Sequence, residues 1–116
     1  MTPNRRQTFL RAAASLFAVA AFFHLFRVFV PQAGDPSGTL RHALFVAINL
    51  ACVYGLWQRP RLFKYPFALL VVQQIYSHGG AAWTAWTERG EVDVVSLVIV
   101  VLMPATLAAL WLDTPS

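Results

Sequence analysis

Four long apolar stretches, cut by short polar breaks, organise this chain. They run over about residues 8–30, 40–57, 62–86 and 92–112. Each has about 18–25 residues, which at about 1.5 Å rise per residue matches a hydrocarbon core of roughly 30 Å. Pro31 and the following QAGDPSG close the first stretch, QRPR separates the second from the third, and TERGE separates the third from the fourth. Breaks this short set neighbouring helices antiparallel. Nothing alternates with period two, and four short spans cannot close a barrel. The pattern predicts an all-α protein, an integral membrane up-down four-helix bundle forming one domain over residues 1–116. No internal repeat, low-complexity tract or linker is visible.

Composition supports this reading. Hydrophobic residues make up 58% of the chain and charged residues 12%. A soluble domain has about 45–50% and about 25%. The net charge of +4 and the pI near 10 would fit a nucleic-acid binder, but the charges are distributed by topology. Arg5, Arg6, Arg11, Arg59, Arg61 and Lys64 fall on one side of the four spans. Arg27, Arg41 and Arg89 fall on the other, with Asp35, Glu88, Glu91 and Asp93. The positive-inside rule then places both termini in the cytoplasm. Trp57, Tyr65 and Trp111 lie near the inner boundary, Trp83 and Trp86 near the outer one. The expected partner is the lipid bilayer, with another membrane protein or a second copy beside it, and no nucleic acid.

The N-terminal NRRQTFLR is similar to a twin-arginine export signal, with one residue too many between Arg6 and Phe9. Cleavage after Ala18-Val19-Ala20 would leave a very short apolar region, whereas apolarity continues through Phe22, Phe23, Phe26 and Phe29. The first stretch is therefore expected to be a retained span. Short loops and the lack of a sorting segment point to a prokaryotic inner membrane.

Polar residues inside the spans carry the candidate chemistry. His24 and His78 each lie twelve residues into their spans, at roughly 18 Å depth. His42 is near the outer mouth of span two, about 9 Å shallower. Asn49 follows it on the same helical face, as Gln74 and His78 share a face of span three. Arg27 stands at i+3 from His24, and Arg41 precedes His42. Polar side chains in hydrocarbon are costly and usually face inward. The candidate ligand-binding set is His24, Arg27, Arg41, His42, Asn49, Gln74 and His78, a ladder in the outer half of the bundle. The alternative role for Asn49, Gln73, Gln74 and Ser77 is hydrogen-bonded glue between helices. Gly79-Gly80 would either unwind span three or permit close helix packing, and Pro104 would kink span four.

Two histidines at one depth could ligate a haem b iron or another metal. No CxxCH occurs, so covalent haem attachment is excluded, and Cys52, the only cysteine, permits no intrachain disulfide. Ser77 and His78 are neighbours, about 100° apart on a helix, and no acid is expected beside a histidine at depth, so hydrolase chemistry is disfavoured. The arginines and histidines suit an anionic or carbonyl-bearing ligand such as a quinone headgroup. The size and four-span layout resemble the small multidrug-resistance transporters. That family carries a glutamate within its first span, and this first span has none. The layout also loosely resembles the DoxX-type quinone-linked membrane proteins, in architecture alone. The expected function is that of a small membrane binding protein or subunit with a polar His/Arg/Gln pocket for haem, quinone or an anionic ligand. The alternatives are an accessory subunit without its own site, and a small transporter or membrane enzyme.

Overall fold

The computed structural model describes residues 1–35 and 38–113. Its regular structure among these residues is four helices: α1 Pro3–Phe29, α2 Gly38–Gln58, α3 Lys64–Arg89 and α4 Val94–Asp113. Local chemistry sets their ends. The Thr2 hydroxyl accepts the Arg5 amide and Pro3 occupies the first turn, so α1 begins well before its apolar stretch. Pro31 follows its end at Val30. Gly90 takes a left-handed conformation (φ 62°), which turns the amides of Gly90 and Glu91 back onto the Trp86 and Ala85 carbonyls and stops α3. Asp93 caps α4 by accepting the Ser96 amide at 3.1 Å.

The chain divides into two compact units, Met1–Arg59 and the segment from Pro60 onward. Each is one antiparallel helical hairpin, α1 with α2 and α3 with α4. Exposure is inverted relative to a soluble domain. Phe22, Phe29, Leu69, Val101 and Leu112 are each at least 70% exposed, while His42, Asn49, Lys64, Ser96 and Thr106 are buried. Apolar groups outward and polar groups inward suit a hydrocarbon solvent. α1, α2 and α4 are long and apolar enough to cross a membrane. α3 has the length, with 26 residues, but is not among them. Gln73, Gln74, Ser77 and His78 dilute its middle, so three of the four expected spans are helices apolar enough to cross a membrane.

A repeat invisible in the residue types emerges in the burial pattern. The buried residues of α2 are His42, Asn49, Cys52, Gly55 and Leu56. Those of α4 are Ser96, Met103, Thr106, Ala109 and Leu110. Every member of the second set stands 54 positions after its counterpart in the first. Leu10 and Ala13 of α1 correspond in the same register to buried Lys64 and Phe67 of α3. His24 matches His78 and Trp57 matches Trp111, with identical residues. A cation faces each of these tryptophans: Arg11 lies 4.9 Å from the Trp57 ring and Lys64 lies 4.7 Å from that of Trp111. Burial geometry is kept while side chains change, which is why the sequence alone shows no repeat.

Gly79 and Gly80 neither unwind α3 nor allow a close approach. The helix runs through them, and a Cβ at either would meet nothing within 4 Å. Gly79→Ala and Gly80→Ala are therefore expected to stabilise the protein by about 0.5–1 kcal/mol each, through helix propensity. The check is the thermal unfolding midpoint in detergent; a fall in either variant would mean that this face packs against another molecule.

Candidate functional site

The α1–α2 loop brings two histidines together. His24 stands five residues before the end of α1 and His42 four residues into α2, so both lie roughly 6–8 Å from the loop. Their Nδ1 atoms are 2.8 Å apart. This corrects the expectation that His42 lies about 9 Å too shallow to join His24. Depth counted from the far end of each span carries the error in where that span starts. Counted from the shared loop, the two residues match.

Asp35 reaches back from the loop and places Oδ2 2.7 Å from His42 Nε2. An acid therefore does lie beside a histidine, contrary to the expectation from the spans alone. It comes from the connection, where depth arguments do not look. The hydrogen-bonding pattern fixes the tautomers. With Asp35 as its carboxylate, His42 donates from Nε2, and in its neutral form it accepts at Nδ1. His24 must then donate from Nδ1, which leaves the lone pair of His24 Nε2 for a ligand. Aromatic rings hold the pair in place. Phe23 meets His24 and His42 edge-on, and Phe45 stacks on His24 with centroids 5.3 Å apart.

A pocket of about 420 Å³ opens at this end of the hairpin, lined by Phe23, His24, Arg27, Gln32, Ala33, Gly34, Asp35 and His42. The Arg27 guanidinium lies 5.3 Å from the Phe26 ring and 5.7 Å from that of Phe23. Arg41 lies 5.4 Å from the Phe45 ring. Both cations are thus held over aromatic faces beside the histidines. Of the sequence-derived set, His24, Arg27 and His42 share this pocket and Arg41 flanks its histidines. Asn49 is spent within its own helix, donating to the Phe45 carbonyl at 2.7 Å. Gln74 donates to Gln73 at 2.6 Å.

His78 belongs to the second hairpin, where its Nδ1 lies 3.1 Å from Ser96 Oγ. The Ser96 hydroxyl donates to Asp93 Oδ2 at 2.7 Å, so it accepts from His78 Nδ1–H. The histidine and its partner are 18 residues apart here, as His24 and His42 are in the first hairpin. His24 and His78 thus each spend Nδ1 inside their own hairpin, and Nε2 is the nitrogen either would offer to an iron or other ligand. His42 has both ring nitrogens committed. Among the described residues no group of three or more His, Cys, Asp or Glu is arranged to hold a metal ion. Asp35, Asp93 and Ser96 are the participants that sequence reasoning missed. Asp35 sits in the loop and Asp93 at the start of the helix that answers each histidine, a signal that reading span by span passes over.

Hydrogen bonds from the Ser96 hydroxyl and amide hold the Asp93 carboxyl below the ordinary value of 3.8, helped by nearby His78 and Arg89. A depressed carboxylate contributes stability above its unfolded pKa and loses it as pH falls through the folded value. The protein should therefore lose stability as pH drops below about 4, and Asp93→Asn should flatten that part of the profile. Thermal unfolding of both proteins across this range decides it; parallel profiles would remove Asp93 from the account. Comparison with protein-family models, with curated proteins and with solved structures gives no match, so the chemistry of the site rests on its own residues.

Proposed function

We propose that this chain is a small integral membrane binding protein whose pocket takes the oxygen-bearing headgroup of a lipid-soluble ligand, of the quinone class. The observation that carries the reading is the pocket at the loop end of the first hairpin, with the His24–His42–Asp35 chain and the Arg27 guanidinium on its wall. His24 Nε2 and Arg27 offer polar partners for a carbonyl or hydroxyl oxygen, and Phe23 offers a ring face for an aromatic headgroup. The exposed apolar faces of α1 and α2 keep an isoprenoid-like body in hydrocarbon. A free carboxylate would satisfy Arg27 equally but would not use that surface. Haem is less favoured in this pocket, because of its two histidines only His24 keeps a ring nitrogen to offer an iron.

The same reading has all four helices crossing the membrane as an up-down bundle, α3 among them with His78 bonded to Ser96 of α4. Both termini lie on the basic, cytoplasmic side of a prokaryotic inner membrane, and the pocket faces the opposite side. The charge distribution and the short connections support it.

Full-length protein purified in mild detergent should release a quinone on organic extraction, at about one per chain, and should show no Soret band. Arg27→Gln should lower the recovered quinone about tenfold, the size expected for losing one charge-assisted hydrogen bond. A quinone-free preparation that also fails to bind an added short-chain quinone would sink the proposal. A Soret band lost on His24→Ala would move the assignment to haem.

A further inference from the structure

Three groups in the first hairpin line up donor to acceptor, and their order has chemical content. The Asp35 carboxylate accepts from His42 Nε2, and His42 Nδ1 faces His24 Nδ1 across 2.8 Å. The far end of the chain, His24 Nε2, is the atom offered to the pocket. We infer that Asp35, His42 and His24 form a one-proton relay that takes a proton from a hydroxyl-bearing ligand in the pocket. The inference rests on the pocket being a ligand site, as proposed above.

The step balances without any redox partner. The ligand's O–H proton moves to His24 Nε2. The proton on His24 Nδ1 moves to His42 Nδ1. His24 ends neutral with its proton on Nε2, and His42 becomes an imidazolium facing the Asp35 carboxylate. The ligand is left as an oxyanion beside Arg27. No electron is transferred, and the reverse sequence returns the proton. The direction of charge flow is favourable because the positive charge comes to rest on His42, 2.7 Å from a carboxylate. Left on His24, it would have no carboxylate beside it, while the Arg27 guanidinium lines the same pocket. Buried charge is tolerated when directly paired, and the His42–Asp35 pair meets that condition, its side chains being 8% and 19% exposed. The other charged groups of this hairpin, Arg5, Arg6, Arg11 and Arg59, are at its opposite end.

Two measurements on the full chain test the relay. Imidazole nitrogen NMR of ¹⁵N-histidine-labelled protein, without ligand, should show neutral His24 protonated on Nδ1 and neutral His42 protonated on Nε2. Neutral His42 protonated on Nδ1 overturns the relay whatever the pocket binds. The second measurement uses para-cyanophenol, whose phenol and phenolate absorb differently and whose pKa lies above the histidine range. At neutral pH the bound probe should be largely phenolate. In Asp35→Asn the ratio of ionised to protonated bound probe should fall about tenfold, the effect of removing one adjacent opposite charge. An ionised fraction unchanged in that variant assigns the stabilisation of the phenolate to Arg27 alone and overturns the relay. Probe that binds and stays protonated overturns the relay while leaving the binding site in place. Probe that does not bind removes the pocket and the relay together.

Discussion

A polar side chain buried among apolar ones has no water to turn to, and this constraint shapes both hairpins. Asn49 and Thr106 return their donors to carbonyls one turn back on their own helices. Lys64 extends over the Trp111 ring. His42 and Ser96 are answered across the hairpin and by an acid at its turn. The acids matter most. Asp35 and Asp93 stand at the loop end of their hairpins, yet each reaches a buried partner. The polar interior is therefore anchored from the turns inward.

The two hairpins solve this problem in one register with different side chains. His42 in the first corresponds to Ser96 in the second, Arg27 to Ala81 and Arg41 to Val95. The first keeps two cations and a pair of rings, which gives a site able to hold negative charge. The second keeps a histidine, a hydroxyl and an acid, without a cation at the matching positions. Its own cavity, of about 320 Å³, is walled by Trp83, Trp86, Leu97 and Val100 among others. The helical frame is shared, and the chemistry placed on it is not.

Much of the frame was legible in the sequence. Apolar runs of spanning length, with proline and glycine at the breaks, locate the helices and connections to within a few residues. Helix ends shifted at the caps: Thr2 starts α1 ahead of its apolar run, and Asp93 starts α4 just inside its run. The site was legible in part. Polar residues inside apolar runs marked His24, Arg27 and His42, because their cost in hydrocarbon makes them conspicuous. What could not be read was partnership. Pairing His24 with His42 depends on where α1 stops and α2 starts, and a few residues of uncertainty at each end exceed the reach of a hydrogen bond. Asp35 was passed over because an acid in a loop is unremarkable until the loop folds back. The recurrence of burial stayed hidden because Asn49 and Met103, or Cys52 and Thr106, occupy corresponding buried positions with unlike chemistry.

The register of 54 residues bears on symmetry. A membrane protein assembled from two identical hairpin chains must place every side chain twice, so a histidine pair on one side is a histidine pair on the other. Joining two hairpins of one design in a single chain removes that obligation. One half can change charge while the other keeps it, and a substitution that would disable both sites of a symmetric pair touches only one here. The price is that the connection around Pro60 fixes which half is which. A single chain can then carry two unlike versions of the same hairpin, something a pair of identical chains cannot do.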